Sequence, residues 1–213
     1  MHKSNRVFWE ECSKQNPRYF NDPSMVIELG SLFINGSIRD YFNCQFYVGV
    51  DWRKGVNVDL VSLAHEVGFS DGFFDTVISA SMLEHDPYWE KSIVNMIRMM
   101  RHDGILILTW GAALNQAHCP EAAPDGIFHA LPAARVLDLM EKQNMYVHQF
   151  QYEWSLLPAN KDVMIKQETL YHPVTGLRDL GTGEVALVAF KDQRLAAGNQ
   201  VIDDLLDLDK TWE

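Results

Sequence analysis

"VIELGSLFINGS", residues 26 to 37, ends an apolar run on the carboxylate of Glu28 and then places Gly30, Ser31, Asn35, Gly36 and Ser37 within nine residues. A backbone that bare, directly behind a short Val/Ile/Leu run, suits the first strand-to-loop junction of an open α/β sheet. Ligands of such sheets sit beyond the carboxyl ends of the strands, and a Gly-rich first turn lets the main chain approach them closely.

The surrounding chain supplies the rest of that sheet. Met25 to Leu29, Phe46 to Val50, Val58 to Val61, Phe74 to Ala80 and Ile105 to Trp110 are short, rich in Val, Ile and Phe, and bounded by Gly, Asp or Ser. Continuous apolar runs of this kind are buried parallel strands. Between the fourth and fifth, Tyr88 to Arg101 sets Trp89, Ile93, Met96, Ile97 and Met100 at three- and four-residue steps, which predicts a helix with one apolar face. "RHDG", Arg101 to Gly104, reads as its basic last turn and C-terminal Gly. After the fifth strand come a Gly/Ala/Pro/His-rich segment (111 to 132), a helical stretch from Ala133 to Gln143, and strands at Tyr146 to Trp154 and Gly183 to Lys191. The alternation of strand and helix predicts α/β class with a mostly parallel sheet.

A second carboxylate, Asp51, closes the second strand roughly 20 residues beyond the first, where an acidic side chain accepts hydrogen bonds from ribose hydroxyls. The pair points to a nucleoside cofactor. The dinucleotide fingerprint GxGxxG is not met, because Leu32 stands at the second glycine, so NAD is disfavoured. Glu28 would also repel a nearby pyrophosphate but favour a cofactor with a cationic end.

Composition narrows the partners. The 213 residues carry 29 acidic and 18 basic side chains, a formal charge of -11, with no Lys/Arg cluster, which argues against nucleic acid and anionic membranes as partners. The amino-terminal residues lack an apolar signal core, and no apolar stretch approaches the roughly 18 residues of a membrane span, so a cytoplasmic protein is expected. Cys12, Cys44 and Cys119 lie far apart, without metal spacing, and read as reduced thiols; no metal site is expected. With 47% hydrophobic residues, one domain is expected over 1–191, its cofactor half at about 25–110 and its acceptor-side half at 111–191, followed by an acidic tail at 192–213.

At "VIELGS" with "NGSIRDYF", "YVGVDW", "VDLVSLAHEVGFSDGFFDTVISASMLEH" and "RMMRHDGILILTW" the chain resembles the class I S-adenosylmethionine-dependent methyltransferases, in particular their type 11 branch. The resemblance covers about residues 25 to 110. It implies a Rossmann-like three-layer sandwich around a seven-stranded sheet of order 3-2-1-4-5-7-6, strand 7 antiparallel. It implies S-adenosylmethionine as cofactor and S-adenosylhomocysteine as product. Glu28 and Gly30, with Ser31 alongside, would then surround the methionine part, Gly36 would with Gly30 let the backbone approach the cofactor closely, Asp51 would bind the ribose, and Trp52 would lie against the adenine. Ser79, Ala80, Ser81 and Met82, after strand four, would border the methionyl group and the transferring methyl. Two positions depart from the family pattern: Leu32 replaces a common Gly, and Leu63 stands where an acid reads the adenine amino group. Backbone groups at Leu63 and Ala64, and an apolar wall, would take over that role.

A sulfonium cofactor carries the reactive chemistry, leaving the protein to align an acceptor, exclude water and, where needed, remove a proton. Histidine suits that last task at neutral pH. His85, closing "MLEH", and His118, in the segment after strand five, are the candidate bases, with His129 nearby; a structural hydrogen bond or a surface position is the simpler reading of each. Asp86 before Pro87 also reads as a helix cap. The expected partner is a small-molecule or sugar-like acceptor, and neither its identity nor the oligomeric state is written in any motif. Two other function classes fit the same residues: a non-catalytic methyltransferase-like binding or scaffold protein, and another nucleotide-cofactor enzyme.

Overall fold

The computed structural model describes residues 3–34, 36–111, 122–129, 131–154, 170–171, 178–179 and 183–196. Its strands in chain order are β1 (Met25–Leu29), β2 (Phe46–Asp51), β3 (Leu60–Val61), β4 (Phe74–Ala80), β5 (Met100–Gly111), β6 (Tyr146–Trp154), β7 (Leu170–Tyr171), β8 (Arg178–Asp179) and β9 (Gly183–Phe190). Seven form one sheet of order β3-β2-β1-β4-β5-β9-β6, while β7 and β8 pair separately. The first five run parallel, and β9 runs antiparallel to both neighbours. With β9 as seventh strand of the main sheet, this is the 3-2-1-4-5-7-6 order that the family resemblance implies.

Both faces of the sheet are covered, so its strands are apolar throughout rather than alternating. On one face Ile27, Leu29, Val77, Leu106 and Leu108 pack against helices α3 (Trp89–Met99) and α4 (Ala133–Lys142), with Ile93, Met96 and Met140 fully buried between them. On the other, Val26, Ile78, Ile107 and Val188 meet α1 (Lys3–Gln15) and α2 (Pro17–Phe20) through Phe8, Trp9, Cys12 and Phe20. A short α5 (Gln193–Ala196) follows β9. Polar pins add register: Thr76 Oγ1 donates to the Tyr19 carbonyl (2.9 Å) and shares a hydrogen bond with Ser24 Oγ (3.0 Å), tying α2 to the sheet. Cys12 and Cys44 are free thiols, and Cys119 lies outside the described residues.

Three local expectations change. The helix after strand four begins at Trp89, because the Asp86 carboxylate accepts the Tyr88 N–H (2.8 Å) and the Ser92 hydroxyl, closing an Asx-type turn ahead of the first helical residue. The same helix stops at Met99, and "RHDG" is a bulge inside β5: register jumps from Phe74 opposite Met100 to Thr76 opposite Ile105. Gly104 serves that bulge, since a Cβ there would lie 2.8 Å from the Asp75 carbonyl oxygen. Strand three shortens to Leu60–Val61, because Asn57 takes φ +70° and the Val58 N–H turns back to the Gly55 carbonyl (3.3 Å). Helix α1 has no counterpart in the sequence reading. Its buried Trp9 predicts that Trp9→Ala destabilises the protein by about 3–5 kcal/mol, seen as a lower urea midpoint at unchanged slope; a loss below about 1 kcal/mol would mean that α1 packs loosely.

Candidate functional site

The cleft lies where the sheet's strand order reverses, between the carboxyl ends of β1 and β4. It is a cavity of about 180 Å³ walled by the loop after β1, the end of β2, residues 62–64, the turn after β4, and Ala122 and Pro124 of the segment after β5. Of the residues singled out in the sequence, Glu28, Gly30, Ser31, Gly36, Asp51, Trp52, Leu63, Ala64, Ala80, Ser81, Met82 and His85 all line it. Ser79 does not: it faces Leu29 and Leu108 within the ladder and is fully buried. His118 lies outside the described residues.

The first loop is held by a double hydrogen bond. The N–H groups of Gly30 and Ser31 both donate to the Val50 carbonyl, at 2.8 and 3.0 Å, which folds the chain back over β2 as soon as β1 ends. Gly30 has φ +84°, and a Cβ there would sit 2.4 Å from the Met82 Cβ, so only glycine lets the two strand ends close up. Gly49 is as constrained, since a Cβ would lie 2.0 Å from the Asn57 carbonyl oxygen. Ser37 of the "NGS" stretch is a brace: its hydroxyl accepts from the Arg39 N–H and from Asn57 Nδ2, both at 3.0 Å.

The acids differ in environment. Glu28 is 3% exposed, its Oε2 accepts the Tyr47 hydroxyl at 2.6 Å, and burial pushes its carboxyl up to about 7 against the opposing pull of that hydrogen bond and of Arg39. Arg39 lies 4.7 Å over the Tyr47 ring and pairs with Asp59 at 3.2 Å, so a Glu28–Tyr47–Arg39–Asp59 chain runs behind the cleft. Tyr47 is two residues before Gly49, the register partner of Glu28, and so shares its face of the sheet; that parity is the sequence signal that finds it. Asp51 is less buried. Its carboxyl is raised by burial, offset by the backbone N–H groups of Arg53 (3.1 Å) and Leu32 (3.4 Å).

Trp52 stands at the mouth with its indole N–H donating to the Ala122 carbonyl (2.8 Å) and the Arg53 guanidinium 5.4 Å over its ring. At the neighbouring wall the Leu63 carbonyl accepts from Ser62 Oγ and the Glu66 N–H, and the Ala64 carbonyl from Asn95 Nδ2. Those carbonyls already accept hydrogen bonds within the protein, and the Leu63 and Ala64 side chains add apolar surface to the cleft. After β4, Ser81 takes φ +52°, and a 3-10 turn at Leu83–His85 buries Glu84 and His85, the latter edge-on to Phe128 at 5.6 Å. Glu84 receives the Gly111 N–H on Oε1 (2.9 Å) and the His129 N–H on its backbone carbonyl (2.7 Å). His129 itself turns away to Asp125 (2.9 Å). Among the described residues no three His, Cys, Asp or Glu side chains gather as a metal site, and no helix is long and apolar enough to cross a membrane.

Residues 43–108 match a family model described as a methyltransferase domain. No curated protein matches the sequence. Solved structures match over most of the chain at low identity. A provisionally described methyltransferase of Bacillus halodurans aligns with a TM-score of 0.60 at 12% identity, covering 84% of this chain and 97% of its own. The [4+2]-cyclase SpnF aligns at 0.58 and 13%, covering 85% and 81%. A 1,6-didemethyltoxoflavin N1-methyltransferase of Burkholderia thailandensis, whose structure holds 1,6-didemethyltoxoflavin and S-adenosylhomocysteine, aligns at 0.53 and 12%, covering 85% and 77%. In sheet order and in the match over residues 43–108, the chain is similar to the class I S-adenosylmethionine-dependent methyltransferases and has their fold.

Proposed function

We propose that the protein is a cytoplasmic S-adenosylmethionine-dependent methyltransferase, a single domain over residues 1–191, acting on a small-molecule or sugar-like acceptor. The observation that carries the reading is the closure of Gly30 on Met82 beside Asp51, which leaves a cleft bounded by a carboxylate at the end of β2 and a bare turn at the end of β1. These residues fit the cofactor. Asp51 is held by two backbone N–H groups at 3.1 and 3.4 Å, which leaves acceptor capacity on a carboxylate that can bind ribose hydroxyls. The Trp52 ring offers a flat apolar face for the base. Glu28 and Asp51 make the cleft favourable to an ammonium and a sulfonium.

When bound, the cofactor supplies an electrophilic methyl group. The protein aligns the acceptor and screens the reaction from water, with Met82, Leu63 and Pro124 as apolar walls. His85, buried at the cleft edge, is placed to take a proton from a hydroxyl or amine acceptor. The likeness to SpnF favours a second reading, in which the same cleft holds the cofactor while the chemistry is not methyl transfer.

Isothermal titration with S-adenosylmethionine, S-adenosylhomocysteine and NAD decides the cofactor: saturable binding of the first two alone supports the reading, and no binding of either overturns it. Asp51→Ala is expected to weaken that binding by about 1.5–3 kcal/mol; unchanged affinity in the folded variant removes Asp51 from the ribose site. An acceptor screen by homocysteine release separates methyl transfer from the second reading. With an acceptor in hand, His85→Ala should lower turnover at unchanged cofactor affinity, and equal turnover would make His85 structural.

The charge of Glu28 adds a pH signature. Folding raises its carboxyl from 4.5 to about 7, so the folded state favours the protonated form. Its contribution to stability is complete below the unfolded value and is lost as pH rises through about 7. Between pH 5 and 8 the wild type should therefore lose on the order of 3 kcal/mol relative to Glu28→Gln, measured by urea unfolding at each pH. Parallel pH profiles would place the titration elsewhere. Cation binding favours the ionised form, so cofactor affinity should rise over the same interval in the wild type and stay flat in Glu28→Gln.

A further inference from the structure

Glu84 is 1% exposed and sits in the turn after β4, where it touches the end of β5 and the segment that follows it. Its carboxylate accepts the N–H of Gly111, where β5 ends, and its carbonyl accepts the N–H of His129. Residues 111 and 129 are thereby brought to one residue, 27 and 45 positions back in the chain. Between these pins the described stretch 122–129 folds on itself: the Gly126 N–H donates to the Ala123 carbonyl (3.1 Å) with Gly126 at φ +72°, and Asp125 accepts the Ile127 N–H (3.0 Å) and the His129 ring. Its first residue is tied across the cleft to the Trp52 indole. Ala122 and Pro124 face the cavity, and Phe128 covers the edge of His85.

We propose that Glu84 is the positioning residue of the acceptor side of the cleft, fixing the wall formed by residues 122–129 through its carboxylate at Gly111 and its carbonyl at His129. The inference rests on the methyl-transfer reading only in naming this wall the acceptor side. A buried carboxylate is a costly way to hold the Gly111 N–H unless its geometry is needed, because its desolvation is offset only while its hydrogen bonds are made. Glu84 makes one of those bonds to the strand that carries the cleft wall away and, through its own backbone, one to the residue that brings it back. The wall is thereby set relative to His85, the next residue in the chain.

Amide hydrogen exchange of the full chain without cofactor tests this. Glu84→Ala removes the carboxylate but keeps the backbone carbonyl, so it is expected to speed exchange at Gly111 about tenfold, the effect of one lost hydrogen bond to a charged group, and to raise exchange in 122–129 less than at Gly111, while β1 and β2 keep wild-type protection. Glu84→Gln retains a carbonyl oxygen for the Gly111 N–H and should restore protection. Trp52→Phe, which keeps the ring and removes the indole N–H, should speed exchange at the Ala122 end alone. Unchanged exchange in Glu84→Ala, a uniform rise across the sheet, or equal loss in Glu84→Gln overturns the proposal. Should Glu84→Ala not fold, Glu84→Asp withdraws the carboxylate by one methylene, and wild-type exchange at Gly111 in that variant overturns it as well. Titration of wild type with S-adenosylhomocysteine is read separately, so absence of binding would count against the cofactor and leave the exchange result standing.

Discussion

The Val50 carbonyl accepting two successive N–H groups, those of Gly30 and Ser31, is the contact on which the cleft depends. It stops β1 at Leu29 and sends the chain sideways over the end of β2, which opens the space that the strand would otherwise continue to fill. The bend needs φ +84° at Gly30 and no side chain there, because Met82 from the turn after β4 occupies the position of a Cβ. Gly49 is needed for the same reason one strand over, where the Asn57 carbonyl approaches β2. Three segments far apart in sequence converge on two missing side chains.

Much of this was legible because strands buried on both faces are apolar throughout and stand out against Gly, Asp and Ser boundaries. The extents of β1, β4 and β6 and the carboxylates at the ends of β1 and β2 follow from that contrast. Helix α1 was not legible because its apolar residues, Phe8, Trp9 and Cys12, are few among charged neighbours, and only tertiary packing on Val26 and Val188 selects them. The "RHDG" bulge was read as a helix end because Arg followed by Gly satisfies both local rules. What separates them is the Asp75 carbonyl against Gly104, a contact between residues 29 positions apart. The role of Glu84 was equally hidden, since its partners lie 27 and 45 residues onward.

The two departures from the family pattern have different physical weight. Leu32 occupies a position where glycine is common, yet the double bond to Val50 and the glycine at 30 already make the turn, and the Leu32 side chain is accommodated against Gly55, where a Cβ would lie 2.2 Å from it. Leu63 removes a carboxylate that would read a base edge, and Asn95 instead fixes the loop by donating to the Ala64 and Val67 carbonyls at 2.9 and 3.0 Å. The wall at Leu63 and Ala64 is thus apolar in its side chains and tied to α3 through Asn95.

Four carboxylates line the cleft, and a buried charge needs a partner. Each has one. Glu28 leans on Tyr47, Asp86 is spent on Tyr88 and Ser92 at the start of α3, and Glu84 holds Gly111. Asp51 alone of the four takes its hydrogen bonds from long backbone contacts at the cavity rim, and it is the least buried of them. Acids that look equivalent in sequence therefore divide by environment: Glu28, Glu84 and Asp86 each have a tight buried partner, while Asp51 keeps spare acceptor capacity at the cavity rim.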